Sequence, residues 1–128
     1  MALGIGVLES TRAGDASTTD AGLVATLESL GHRVAKRYAT FVMEGRGVRC
    51  VSDRPWVTAA ETAECAMAHL AAGEVDTAAR LLRWAEHLRH DDGSYFTGMV
   101  HPQRHLFPAG ERSTYSTAAV TLATAALA

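Results

Sequence analysis

The segment that most constrains the fold is residues 56–98, which has the pattern of two short helices joined by a tight turn. Thr58 is followed three residues later by Glu61, the spacing of a capping box, in which a hydroxyl and a carboxylate satisfy the first amides of a helix. This pattern predicts a helix that begins at about Ala59, and Gly73 supplies the left-handed turn that ends it. Because the turn is so short, a second helix must lie antiparallel beside the first.

Both helices have apolar or small residues on one side, at spacings of three and four. In the first helix these residues are Ala63, Ala66, Met67 and Leu70, and in the second they are Ala78, Leu81, Leu82, Ala85 and Leu88. Basic and acidic residues occupy the other side of the second helix. The two stripes are therefore predicted to face each other and the core.

Helical patterns also lie on either side of this hairpin. A long helix is predicted over residues 21–43, and a last helix begins in the 113–117 region and runs to the end of the chain. Residues 48–51 are compatible with one extended segment, and residues 99–110 have the composition of a proline-punctuated loop. Together these patterns predict an all-α fold of antiparallel hairpins in a domain of residues 20–128, preceded by a mobile segment of residues 1–19.

Composition excludes several classes of function. With 48% hydrophobic residues and 20% charged residues, the 128-residue chain is typical of a globular domain. Its twelve Lys and Arg residues are scattered and the net charge is −2, so we expect no nucleic-acid partner. No apolar run has the length of a membrane span. Cys50 and Cys65 do not indicate a disulfide framework, so we expect a cytoplasmic protein.

Three segments together resemble the last repeats of the alpha-alpha toroid proteins. They are Trp56–Glu64, Asp92–Gly98 and Phe107–Ala119. The toroid superfamily includes terpenoid (squalene-type) cyclases and protein prenyltransferases, and the nearest relatives expected are actinobacterial prenyltransferase-like proteins. The resemblance implies the carboxyl-terminal part of a larger ring and, if the chain is an enzyme, a prenyltransferase-like transferase that acts on an isoprenoid group in an aromatic-lined cavity.

The resemblance transfers only a structural loop, formed by Asp92, Gly93, Ser94 and Phe96. The acidic motif of the cyclases and the zinc ligands of the prenyltransferases have no counterpart here, so no cofactor is assigned. Two alternatives remain open. One is a glycan-processing protein similar to the six-hairpin glycosidases, and the other is a non-catalytic helical scaffold.

Three carboxylates are candidates for catalysis. Glu61 and Glu64 are three residues apart on one helix face, a spacing that suits paired acid–base chemistry. The capping box by itself also accounts for Glu61. Asp53 precedes the same helix, and the glycosidase alternative would use Glu61 or Asp53 with a second carboxylate.

Histidines and aromatic residues provide further candidates. His87 and His90 are spaced to share a metal ion, although histidines at a helix end also interact favourably with the carbonyl dipole. Four aromatic residues lie at junctions of loops and helices, where they would line a toroid cavity or simply close the ends of the helix layer. They are Trp56, Tyr95, Phe96 and Tyr115.

The last helix is apolar on almost every side, and such a helix is normally covered on every side. Two or three neighbouring helices cannot cover it completely. We therefore expect a homo-oligomer or a larger assembly that places this helix and part of the 99–110 loop in an interface.

Overall fold

The computed structural model describes residues 19–128, apart from the side chains of residues 19, 20, 27, 30 and 31. The helices are α1 (Thr19–Phe41), α2 (Ala59–Ala71), α3 (Val75–Ala85) and α4 (Thr114–Leu127), and a 3-10 turn (Glu86–Leu88) continues α3. The strands are β1 (Val42–Met43), β2 (Gly47–Arg49), β3 (Trp56–Thr58), β4 (Gly98–Val100) and β5 (His105–Phe107). The predicted mobile segment of residues 1–19 lies outside the described residues, except that Thr19 begins α1.

The five strands form one antiparallel sheet in the order β1-β2-β3-β4-β5. The predicted all-α fold is therefore wrong, and so is the alpha-alpha toroid. In the central strand, Thr58 pairs with Val48 of β2 and with Gly98 of β4. The α2–α3 hairpin is inserted between two neighbouring strands of this sheet, so it does not repeat around a ring of helices.

Residues 99–110, predicted as a loop, contribute to the β4–β5 hairpin instead. Strands of two or three residues are too short to produce a recognisable alternation of apolar and polar residues. At Gly98, where β4 pairs with both β3 and β5, there is no room for a side chain. A Cβ there would lie 2.6 Å from the Phe107 ring and 2.7 Å from the Val57 carbonyl oxygen. The glycine allows the aromatic ring of one strand to pack directly over the backbone of the next.

Helix α2 is the centre of the packing, between the sheet, α3 and α4. It begins where the capping box predicts. The Thr58 hydroxyl accepts a hydrogen bond from the Glu61 amide at 3.2 Å. The Glu61 carboxylate in turn accepts from that hydroxyl at 2.8 Å. Because the sheet continues to Thr58 itself, strand β3 leads into α2 without a loop.

The buried hydroxyl of Thr62 joins this helix to the sheet. It donates to the Thr58 carbonyl oxygen at 2.6 Å and accepts from the Val48 amide at 3.0 Å. The sheet approaches so closely that a Cβ on Gly47 would lie 2.8 Å from the Thr62 hydroxyl, and Gly47 also has a φ of 133°. Glycine is therefore required at this position by both contact and conformation.

The predicted inner stripe of the second hairpin helix is confirmed. Its residues in α3 are buried, and so is Leu88 in the following turn; those in α3 are Ala78, Leu81, Leu82 and Ala85. Helix α1 ends at Phe41, two residues before its predicted end, because Val42 and Met43 pair with β2. On α1, Val34 is buried against Ala68.

The final helix α4 also begins in the predicted region, with Ser113 capping the Ser116 amide. Only one side of it is buried, while Tyr115 and Leu122 on the outer side are 63% and 62% exposed. The association of this face with a second copy or another chain stays a prediction. Across residues 19–128, every helix is too short or too polar to cross a membrane.

Replacing Thr58 by alanine tests the junction of β3 and α2. The variant loses the cap of the Glu61 amide, and we expect a loss of about 1 kcal/mol in the free energy of unfolding. Thr121→Ala is the matched control, since that exposed hydroxyl only bonds back to the Thr117 carbonyl at 2.8 Å. Equal denaturant midpoints for Thr58→Ala and the unmodified chain would contradict this role.

A second prediction concerns His69, a buried residue of α2. Its ring meets Tyr38 edge-on at 5.4 Å between centroids, and its Nδ1 lies 3.4 Å from the Glu74 carboxylate. Burial lowers the pKa of His69 below the ordinary value of 6.5, and the charge of Glu74 offsets part of that effect. The unfolded chain therefore binds a proton at a higher pH than the native protein does.

Because the pKa of His69 is lower in the native protein than in the unfolded chain, we expect the free energy of unfolding to decrease as pH falls from about 6.5 toward the native pKa. Urea titrations between neutral and mildly acidic pH measure this slope. In His69→Gln the slope should be shallower, whereas Thr121→Ala, which removes an exposed hydroxyl of α4, should leave it unchanged. An identical slope in His69→Gln would contradict the assignment.

Candidate active site

Two predicted carboxylates lie together at the start of the central helix. Most of α2 is buried, but Glu61 and Glu64 are half-exposed on the one side that is left open. The first turn of α4 lies beside them, and there the Tyr115 hydroxyl donates a short hydrogen bond to the Glu64 carboxylate. We call Glu61, Glu64 and Tyr115 the carboxylate face.

The charges of this face act on the tyrosine. The hydrogen bond to Glu64 is the largest cause that raises the pKa of Tyr115 above 10.0, followed by the charge of Glu64 and, more weakly, that of Glu61. Both carboxylates are therefore close enough to influence the phenol. At neutral pH Tyr115 is a hydrogen-bond donor at the edge of a pair of acids.

The third candidate, Asp53, lies apart in the exposed turn between β2 and β3. Cys50 begins the same turn, and its amide donates to the Trp56 carbonyl oxygen at 3.0 Å. Burial raises the pKa of the Cys50 thiol, and the charge of Glu61 raises it further. The thiol is therefore a neutral neighbour of the carboxylate face at physiological pH.

The two histidines predicted as a metal pair have different partners. His87 Nδ1 lies at the Trp84 carbonyl oxygen, and its ring packs against His101 at 5.6 Å between centroids. His90 lies 3.2 Å from the Asp92 carboxylate and meets the Phe96 ring at 5.6 Å. Within residues 19–128, the structure contains no group of three or more side chains placed to hold a metal ion.

The four predicted cavity aromatics are distributed over different surroundings. Trp56 packs against Phe107 at 5.8 Å between ring centroids. Tyr95 is buried and its hydroxyl donates to Glu86 at 3.3 Å, while Phe96 faces His90. Of the four, Tyr115 is the one that belongs to the carboxylate face.

The loop transferred from the resemblance has a structural role. Asp92 accepts hydrogen bonds from the Ser94 amide at 2.9 Å and the Ser94 hydroxyl at 2.6 Å, and Gly93 has a φ of 88°. These hydrogen bonds hold the pKa of Asp92 well below its ordinary value. Arg112 donates to the same carboxylate at 2.8 Å, which attaches the loop to the residues that precede α4.

Sequence patterns alone missed the partner of Glu64. Tyr115 is 51 residues away along the chain and belongs to a different helix. The available signal was that each residue lies in the first turns of a capped helix. Nothing in the spacing of either helix indicates that the two helix starts are neighbours.

No known family model matches this chain. The chain is similar to an MMP endo-(1,4)-3-O-methyl-alpha-D-mannosidase of Mycolicibacterium hassiacum, with 44% identity over 100 residues. The match covers 78% of this chain and 28% of the relative, so the chain spans little more than a quarter of that protein's length.

This similarity corrects the functional expectation. The relative is a glycosidase by name, so the prenyltransferase-like and terpenoid-cyclase-like interpretation is wrong, together with the transferase activity that it implied. The similarity favours the glycan-processing alternative.

The bond between Tyr115 and Glu64 can be tested by titrating the tyrosines with carbon-detected NMR. In Glu64→Gln the neutral amide removes the charge that disfavours the phenolate, so the pKa of Tyr115 should fall toward 10.0. Glu111→Gln is the control, because the Glu111 carboxylate accepts from Thr97 at 2.7 Å instead. An unchanged Tyr115 titration in Glu64→Gln would mean that the two side chains are not in contact in solution.

Proposed function

We propose that this chain takes part in processing mannose-containing glycans and that the carboxylate face contacts the sugar. The observation that carries the proposal is the 44% identity to the mannosidase over 100 residues. The substrate class that follows is a chain of (1,4)-linked, 3-O-methylated α-D-mannose, cleaved at internal linkages.

The chemistry of the face supports this proposal. Glycoside hydrolysis commonly uses two carboxyl groups, one to protonate the leaving oxygen and one to act as a base or nucleophile, separated by about 5–9.5 Å. Side chains three residues apart on a helix have Cβ atoms about 5–6 Å apart, so Glu61 and Glu64 suit a pair of this kind. The two carboxylates accept hydrogen bonds from different hydroxyls, Glu61 from Thr58 and Glu64 from Tyr115.

Within this proposal the two carboxylates have different roles. Glu61 also supports the start of α2 through its bond to the Thr58 hydroxyl. Glu64 has no role in the cap, and its partner Tyr115 is an exposed aromatic side chain on which a sugar ring can pack. We therefore assign Glu64 to proton transfer, and Tyr115 to orienting both that carboxylate and the sugar.

Mass spectrometry of the products tests this function directly. The full chain is incubated with a synthetic (1,4)-linked 3-O-methyl-α-D-mannose oligosaccharide, and shorter internal products are expected. Glu64→Gln should reduce the rate by about 10²–10⁴-fold, the usual contribution of a positioned acid or base. Asp91→Asn, at an exposed turn position, should leave the rate unchanged.

Two results would refute the proposal. The first is an intact oligosaccharide after prolonged incubation with folded protein. The second is equal cleavage by Glu64→Gln and the unmodified chain, which would remove the carboxylate face from the reaction.

A further inference from the structure

A concave site lies apart from the carboxylate face, between two turns of the sheet and the end of α3. It is a pocket of about 240 Å³. The β1–β2 turn contributes Gly45 and Arg46, the β4–β5 turn contributes His101, Pro102 and Arg104, and His87 closes it from the 3-10 turn. None of these residues belongs to the carboxylate face, so this site is independent of the proposed function.

The lining of this pocket is positive. Arg46 and Arg104 provide two guanidinium groups, and the lining contains two imidazoles but no carboxylate. Among the ion pairs formed by residues 19–128, neither arginine has an acidic partner. Like charges gathered around one cavity repel each other unless an anion lies between them.

The two imidazoles add buried polar atoms without partners. His101 is only 4% exposed, and its Nε2 has no hydrogen-bond partner in the described part of the chain. The buried Nε2 of His87 also has no hydrogen-bond partner among the described residues, while its Nδ1 faces the Trp84 carbonyl oxygen. Buried polar atoms are nearly always satisfied, so two such nitrogens in one pocket indicate a ligand with several hydrogen-bonding oxygens.

The groups around His101 also indicate that the pocket is positively charged. Burial is the largest cause that lowers its pKa, and Arg46, His87 and Arg104 each lower it further. All three of these side chains line the pocket. An anion placed among them would relieve this repulsion and accept hydrogen bonds from the guanidinium groups, which suit planar or tetrahedral oxyanions.

A metal ion is the obvious competitor for a pair of histidines. The two arginines oppose a cation, and the described residues supply no third ligand close to His87 and His101. The volume also exceeds by several-fold the roughly 30 Å³ that a single water occupies. It is therefore large enough for a group with several heavy atoms.

From this geometry we infer that the pocket formed by Arg46, Arg104, His87 and His101 binds a small oxyanion, the phosphate or carboxylate group of a ligand. The arginines supply charge and forked donors. His101 supplies a hydrogen bond from the buried wall, and His87, whose Nδ1–H faces the Trp84 carbonyl oxygen, donates from Nε2 only in its protonated form.

NMR of the histidine side chains in the full chain tests this site. Inorganic phosphate and acetate are titrated separately, each against sodium chloride at matched ionic strength. We expect phosphate, acetate or both to shift the His87 and His101 ring signals saturably, and chloride to leave them in place. Saturation by phosphate alone identifies a tetrahedral oxyanion, and saturation by both identifies a general oxyanion site.

Charge-removing variants make the test specific. Arg46→Gln and Arg104→Gln, both at exposed positions, should each weaken anion binding by about tenfold, the loss of one charge-assisted hydrogen bond. Arg33→Gln, exposed on α1, has the same change of net charge and should leave the affinity unchanged. The inference is overturned if neither anion exceeds chloride, if Arg33→Gln weakens binding equally, or if the pocket binds zinc in preference to both anions.

Discussion

The structure depends on one buried hydroxyl, that of Thr62. It joins the carbonyl of Thr58 to the amide of Val48, so a single side chain links the central helix to two neighbouring strands. Losing it would leave the Val48 amide buried without this acceptor, which typically costs about 1–3 kcal/mol. The contact also explains Gly47, where any side chain would collide with Thr62 or Val57. The direction of α2 relative to the sheet is set by this contact.

The position of the carboxylate face follows from that direction. Since β3 passes into α2 without a loop, Glu61 and Glu64 are held in the first two turns of a helix whose other sides are buried. The Ala59 amide donates to the Thr97 carbonyl at 3.1 Å, and the Thr97 amide donates to the Glu111 carbonyl at 2.9 Å. These bonds align the chain that leads into α4 with the start of α2, so Tyr115 lies over Glu64. A candidate site on rigid helix starts needs little rearrangement to bind a ligand.

Local sequence patterns predicted the helices but not the sheet. The cap at Thr58, the glycine at position 73 and the stripe from Ala78 to Leu88 depend on residues close in sequence, and the structure confirms each of them. The strands have two or three residues each, and their pairing depends on contacts such as Phe107 over Gly98 that no short pattern specifies. Similarity of helix-starting and loop segments suggested a toroid because those segments occur in many architectures. The same limit applies to the two candidate sites. The spacing of Glu61 and Glu64 is visible in the sequence, but the approach of Tyr115 is not. Nor does the sequence show that two distant turns meet around His87 and His101.

We propose the carboxylate face as the surface where this chain contacts a mannose-containing glycan. Backbone amide NMR measures this most directly, by titrating the full chain with a (1,4)-linked 3-O-methyl-α-D-mannose oligosaccharide. We expect saturable shifts centred on Glu61, Glu64 and Tyr115 that are weakened in Tyr115→Ala. Shifts confined to the turns of Arg46 and Arg104, or no shifts at saturating oligosaccharide, would contradict it.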